Sequence, residues 1–174
     1  MLRRKKGKLN KKSLKINKEI LVIAHNIRSA FNVGSIFRTS DAAGVSQITL
    51  SGYSAHPPHP KLLKVSLGAE ETVPYEKSGQ IWRKIADLKK QGYQIIALEK
   101  NKKAKNIFNF KPKFPLVLIL GNEKMGLSPK ILKRCDGVVF IPMRGYKESL
   151  NVSVAFGIAV YQLVHNFNKN YFYG

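Results

Sequence analysis

The run Leu116-Val117-Leu118-Ile119-Leu120 constrains this chain more than any other feature. Five consecutive apolar residues without polar alternation suit a strand covered on both faces. Shorter β-rich stretches lie at Ile20 to Ala24, Ile48 to Leu50, Tyr93 to Leu98 and Val138 to Ile141. Helical spacing falls between them. Asn32 to Ala43 stops at Gly44, and Lys61 to Leu67 is short. Ile81 to Gln91 puts Ile81, Ile85 and Leu88 on one face and ends at Gly92. Pro129 to Arg134 and Asn151 to Asn166 complete the set. Strands separated by helices predict a mostly parallel α/β sheet covered by helices. The 174 residues, 44% hydrophobic, suffice for one compact domain, and neither a repeat nor an interdomain linker interrupts them.

Charge divides the chain. Lys and Arg total 31 against 10 Asp plus Glu, a formal net charge of +21. Such self-repulsion points to a polyanionic partner, with nucleic acid first. Residues 1–18 carry Arg3, Arg4, Lys5, Lys6, Lys8, Lys11, Lys12, Lys15 and Lys18, and the first acid is Glu19. This segment reads as a basic arm able to clamp phosphates without reading sequence, ahead of a folded domain over 19–174.

Several classes are disfavoured. Neither Gly-x-Gly-x-x-Gly after a strand nor Gly-x-x-x-x-Gly-Lys-Ser/Thr occurs, which argues against a standard dinucleotide or nucleoside-triphosphate site. No metal-type cluster stands out: His56 and His59 flank Pro57-Pro58 as in a turn, and His25 and His165 read as loop or surface residues. The lone Cys135 cannot form an internal disulfide and reads as core. The N-terminus shows no apolar signal region, and Val152 to Val164 is too short to span a membrane. The expectation is a soluble, cytoplasmic protein.

Three segments carry candidate chemistry. In the first, Asn32 can cap a helix, Gly34 permits close approach of a ligand or backbone, and Arg28 and Arg38 can grip phosphate bidentately. In the second, the buried strand runs into Gly121-Asn122-Glu123, with Gly121 open to a ligand and Glu123 able to hold a cation or fix Arg38. Ser128 caps the helix after it. In the third, strand residues end at Ile141-Pro142. Ser149 and Asn151 then open an apolar helix, and backbone around Ile141, Met143 and Leu150 can cradle a flat adenine. Each segment alone also reads as an ordinary cap or turn.

Their order and spacing are more specific. The patterns Asn-x-Gly-x-x-x-Arg, Leu-Gly-Asn-Glu-x-x-Gly-Leu and Ile-Pro-Met-x-Gly-x-x-x-Ser-Leu-Asn-Val-Ser-Val-Ala occur in that sequence order. Together they resemble the three signature motifs of the SpoU, or TrmH-like, family of RNA ribose 2′-O-methyltransferases in the SPOUT superfamily. The resemblance runs from about Ile20 to Leu163. It implies an α/β fold whose C-terminal part forms a deep trefoil knot, S-adenosylmethionine as cofactor with S-adenosylhomocysteine as product, no metal, and a homodimer. It also implies that Asn32, Arg38, Glu123, Ser149 and Asn151 form the catalytic set, with Arg38 central. Leu98, Gly121, Ile141, Met143 and Leu150 match the family's cofactor-holding positions.

An arginine pKa above about 12 makes general-base action by Arg38 hard to accept. Orienting the ribose hydroxyl and stabilising an incipient alkoxide is the second role open to it, with Ser149 and Asn151 positioning the guanidinium. RNA contact is expected from Arg28, the arm (Arg3, Arg4, Lys5 and Lys6 among it) and the Lys100, Lys102, Lys103 and Lys105 cluster. The RNA is expected to be tRNA, because a large N-terminal RNA-recognition domain of the kind some rRNA-directed relatives carry is absent. The alternatives are rRNA, a base methyltransferase, a non-catalytic RNA-binding protein of the same fold, and an ordinary Rossmann-type enzyme.

Overall fold

The computed structural model describes residues 19–171, so Arg3, Arg4, Lys5, Lys6 and the rest of the basic arm lie outside the described residues. The elements run β1 (Ile20–His25), α1 (Ala30–Ala43), β2 (Gln47–Ser51), α2 (Pro60–Ser66), α3 (Ala69–Thr72), β3 (Tyr75–Ser78), α4 (Ile81–Lys90), β4 (Gln94–Leu98) and β5 (Lys105–Asn106). After a single 3-10 turn at Ile107–Asn109 come β6 (Leu116–Leu120), α5 (Pro129–Leu132), β7 (Gly137–Phe140) and α6 (Val152–Tyr171).

The strands form one parallel sheet in the order β3-β2-β1-β6-β4-β7-β5. The unbroken apolar run is its centre. Leu118 of β6 lies opposite Val22 of β1 on one side and Ile96 of β4 on the other, and all five β6 residues are buried. The pleat sends alternate residues to opposite faces. Val22, Ile96 and Leu118 join α1, α2, α3 and α6 in one core cluster, including Phe37, Leu62 and Phe156. Ile23, Ile95 and Val117 join α4 and α5 in the other, through Ile81, Ile85, Leu88 and Ile131. Both faces are therefore dry, as the missing polar alternation in β6 requires.

Local signals set the helix ends. Gly44, at φ 72°, closes α1 in the left-handed region, where a side chain would add strain. The start of α1 differs from the sequence reading. Ser29 is its N-cap, and its side chain accepts from the Asn32 backbone N–H at 3.3 Å. Asn32 therefore sits in the first turn, and its side chain is free to reach another segment. The edge strand β3 and the one-turn helix α3 were not expected. Tyr75-Glu76-Lys77-Ser78 is polar and half exposed, so it has no buried-strand signature. It is held by backbone bonds to β2, by the Thr49 hydroxyl donating to Glu76 at 2.8 Å, and by Tyr75 packing edge-on against Phe37 of α1.

All strands being parallel, their C-terminal ends share one edge, where α/β sheets bind ligands. His25, Leu98, Leu120 and Phe140 end β1, β4, β6 and β7 there. From β7 the chain passes over this edge and returns as α6 against α1. Gly157 lies close enough that a Cβ there would sit 3.9 Å from Thr39 Cγ2. The knot expected of the C-terminal part is implied by this fold. Among the described residues no helix is long and apolar enough to cross a membrane.

Candidate active site

A cavity of about 240 Å³ opens over the C-terminal ends of β4, β6 and β7. Leu98, Gly121, Ile141, Met143 and Leu150 all line it, together with Ser149 and Glu123. Three strand ends and the loop before α6 thus bring together residues far apart in sequence. Gly121 has a reason beyond ligand access. A Cβ on it would lie 2.7 Å from the Gly126 carbonyl carbon and 2.8 Å from the Leu127 backbone nitrogen. The close approach is to the chain's own loop.

That loop, 122–127, is fixed by side chains. The Asn122 Oδ1 accepts from the backbone N–H of Lys124 at 2.9 Å and of Met125 at 2.8 Å. Its Nδ2 donates to the Asn26 carbonyl and to the Tyr53 hydroxyl, both at 2.9 Å. On the other side Glu99 Oε2 accepts from the Leu127 N–H at 2.8 Å.

Glu123, Asn32 and Asn151, one from each of three segments, form one hydrogen-bonded chain. The Glu123 carboxylate accepts from the backbone N–H of Arg28 at 3.0 Å and of Ser29 at 3.2 Å, and from Asn32 Nδ2 at 2.9 Å. Asn32 Oδ1 in turn accepts from Asn151 Nδ2 at 3.1 Å. Asn151 Oδ1 accepts from the Ser153 N–H at 2.9 Å and hydroxyl at 2.7 Å. The carboxylate sits at the positive end of α1, where it satisfies the open N–H of the N-cap Ser29 and that of Arg28 just before the helix. Partial burial alone would raise the Glu123 pKa. The Asn32 amide and the backbone N–H groups of Arg28, Glu123 and Ser29 outweigh it and hold the carboxyl below its usual range.

Within one chain, Glu123 ties down the start of α1 and bonds no arginine side chain, and Asn151 bonds Asn32. Arg38 is exposed on α1, is absent from the linings of both neighbouring cavities, and has no partner among the described residues. Arg28 is exposed and lines an adjoining open cavity of about 600 Å³ with Tyr53, Lys124 and Met125. Lys102 and Lys103 are exposed in the loop after β4, whereas Lys100 lines the first cavity.

Sequence reasoning gave no role in the site to Glu99, Asn122, Tyr53 or His25. Glu99 had a signal, being the first residue past a buried strand. His25 is not an idle loop residue. Asn26 Oδ1 accepts from the Tyr53 N–H at 3.2 Å, so its Nδ2 is the donor to His25 Nε2 at 3.1 Å. The proton therefore sits on Nδ1, which donates to Ser51 Oγ at 3.0 Å. Burial holds the imidazole pKa below its usual value, which keeps the ring neutral. Cys135 is half buried on the far face of the sheet, and burial pushes its pKa up to about 11. Among the described residues no group of three or more His, Cys, Asp or Glu could hold a metal ion.

The chain is similar to known proteins in sequence and in fold. The profile of the SpoU rRNA Methylase family matches residues 19–161. The tRNA (guanosine(18)-2′-O)-methyltransferase of Aquifex aeolicus is 36% identical over 149 residues, 85% of this chain and 70% of that protein. The crystal structure of the A. aeolicus TrmH/SpoU tRNA modifying enzyme superposes with a TM-score of 0.80 at 32% identity, covering 88% of this chain and 77% of the other. The AdoMet-bound rRNA methyltransferase from Sinorhizobium meliloti gives a TM-score of 0.77 at 26% identity, over 84% of this chain and 56% of the other. The chain spans 57% to 59% of the length of further curated relatives, which are described as 23S rRNA (guanosine-2′-O-)-methyltransferases and tRNA/rRNA methyltransferases.

Proposed function

We propose, from the premise that this chain belongs to the SpoU rRNA Methylase family, that it transfers a methyl group from S-adenosylmethionine to a ribose 2′-hydroxyl of tRNA. The observation that carries this reading is the convergence of Leu98, Gly121, Ile141, Met143 and Leu150 on one cavity at the strand ends. The cavity's chemistry fits the cofactor. Apolar side chains of Leu98, Leu120, Ile141 and Leu150 suit a flat adenine, and the carboxylates of Glu99, Glu123 and Glu148 suit a cationic sulfonium. Three of the chain's 10 acids at one cavity, against a net charge of +21, is a marked local concentration.

When bound, S-adenosylmethionine supplies an electrophilic methyl: the ribose oxygen forms a C–O bond as the C–S bond breaks and its electron pair returns to sulfur, leaving S-adenosylhomocysteine. The chain's own residues align the hydroxyl and manage its proton. Glu123, Asn32 and Asn151 lock α1, the 122–127 loop and the start of α6 in one arrangement, and Ser149 faces the cavity beside them. Arg38 orients the hydroxyl and stabilises charge growing on its oxygen, with phosphate or solvent taking the proton.

A homodimer completes this scheme. Phe31 and Arg38 lie seven residues apart, so they share one exposed face of α1. Val154 and Tyr161, 52% and 51% exposed, share one face of the neighbouring α6. An apolar surface that includes an unpartnered arginine suits a second copy, whose cavity would receive Arg38. The arm over 1–18, Arg28, Lys102 and Lys103 grip RNA phosphates, and a cytoplasmic location fits that substrate.

The test is incubation with labelled S-adenosylmethionine and separate pools of unmodified tRNA and rRNA. Label in tRNA supports the reading. Label in rRNA alone keeps the chemistry and replaces the substrate, an outcome favoured by the 23S rRNA-directed relatives. Absence of label with cofactor bound would favour a silent RNA binder.

A further inference from the structure

Tyr53 stands at the C-terminal end of β2, just after Gly52, which turns the chain at φ 65°. It is tied at both ends. Its backbone N–H donates to Asn26 Oδ1 at 3.2 Å, and its hydroxyl accepts from Asn122 Nδ2 at 2.9 Å. Yet 61% of the residue is exposed. A large aromatic left in water forgoes the stabilisation that burial gives, while the two anchors fix the ring's direction. A held, uncovered ring is suited to a flat partner.

Its surroundings narrow that partner. The open cavity of about 600 Å³ beside Tyr53 also carries Met125, 85% exposed, and the cationic residues Arg28 and Lys124. It adjoins the cofactor-type cavity, because Asn122, Glu123 and Lys124 line both. An aromatic face and a thioether for a base, cations for phosphate, and a reaction chamber next door match one unstacked nucleotide.

We propose that this open cavity is a nucleobase site, in which Tyr53 stacks on the base of the nucleotide whose ribose enters the adjoining cavity. The placement of the ribose rests on the methyl-transfer reading; the stacking face does not. A ribose buried at the junction of two cavities requires its base to leave the helical stack, and the ring of Tyr53 replaces part of the lost stacking. Aromatic stacking tolerates any base, so this site holds the nucleotide without choosing it. Arg28 and Lys124 supply the phosphate contacts at the rim.

The probe is a fluorescein-labelled oligoadenylate of about nine nucleotides, a length within single-strand site sizes, titrated by anisotropy against the full chain. Tyr53→Leu keeps apolar bulk without a flat face, and Tyr53→Phe keeps the face without the hydroxyl anchor. Stacking predicts that Tyr53→Leu weakens binding roughly tenfold to a hundredfold, and Tyr53→Phe by no more than about threefold. The slope of affinity against salt stays unchanged, since no charge is removed. A cooperative thermal transition in both variants shows an intact fold, and S-adenosylmethionine affinity by calorimetry is equal in the two, since both lose the hydroxyl that accepts from Asn122 Nδ2. Equal affinity for the unaltered protein and Tyr53→Leu overturns the proposal, and so does an equal loss in Tyr53→Phe and Tyr53→Leu. In methyl transfer to unmodified tRNA, Tyr53→Leu lowers kcat/KM in proportion to its lost affinity; an unchanged kcat/KM overturns the placement beside the reacting ribose. An unaltered protein that binds oligoadenylate through Tyr53 but transfers methyl to no RNA upholds the stacking face and removes the methyl-transfer reading instead.

Discussion

The side-chain amide of Asn32 donates to the Glu123 carboxylate at 2.9 Å across 91 positions of sequence. That one bond joins the first turn of α1 to the loop after the central strand. Asn151 extends it to the start of α6 through Asn32 Oδ1 at 3.1 Å. A loop arrangement held this way resists drift, and displacements of about 1 Å at a reacting centre can cost on the order of a hundredfold in rate.

Glu123→Gln tests the lock. A glutamine offers one acceptor oxygen where the carboxylate serves three N–H groups. The exposed setting limits the loss to about 1 kcal/mol of stability, while turnover falls further than stability does. The pH dependence has a definite sign. The Glu123 pKa is lowered by folding, so the unfolded chain takes up its proton first as pH falls. Its contribution is full above the usual glutamate range and disappears as pH falls through the lower folded value. Urea titrations across the acid range should show this loss in the unaltered protein and a flatter limb in Glu123→Gln.

Arg38→Ala should reduce methyl transfer by about a hundredfold or more with cofactor affinity unchanged, the pattern of a group that acts on charge in the transition state. Arg38→Lys should recover little, because an ammonium lacks the planar fork. Retained turnover in Arg38→Ala removes the catalytic role.

Gly121→Ala forces a Cβ to within 2.8 Å of the Leu127 backbone nitrogen, and backbone cannot swing aside as a flexible side chain can. The expected cost is about 1–3 kcal/mol of stability, with cofactor affinity falling as the 122–127 loop shifts. Thermal unfolding and calorimetry together read both effects.

Removing residues 1–18 takes away nine positive charges. RNA affinity should fall, and the plot of log affinity against log salt should flatten, since fewer counterions are released. An unchanged slope means that the arm does not touch phosphate.

Much of this was legible in the sequence because burial leaves a pattern. The Leu116–Leu120 run announced a strand covered on both faces, and it is the central strand. Helix ends were readable where Gly44 and Gly92 took positive φ. What could not be read was pairing between segments. Asn32 read as a cap because capping is local chemistry, whereas its bond to Glu123 exists only after β1 and β6 pair. His25 read as a loop residue for the same reason: its partner Ser51 lies on the neighbouring strand. The strand β3 escaped notice because an exposed edge needs no apolar residues.

The most direct measurement is the chemical position of the transferred label. Tritium-labelled RNA from the reaction would be cleaved in alkali, which needs a free 2′-hydroxyl beside each phosphate. Methyl on ribose blocks that step, so label should appear in alkali-resistant dinucleotides and, after full digestion, in 2′-O-methyl nucleosides. Label recovered in mononucleotides carrying a methylated base would contradict ribose transfer.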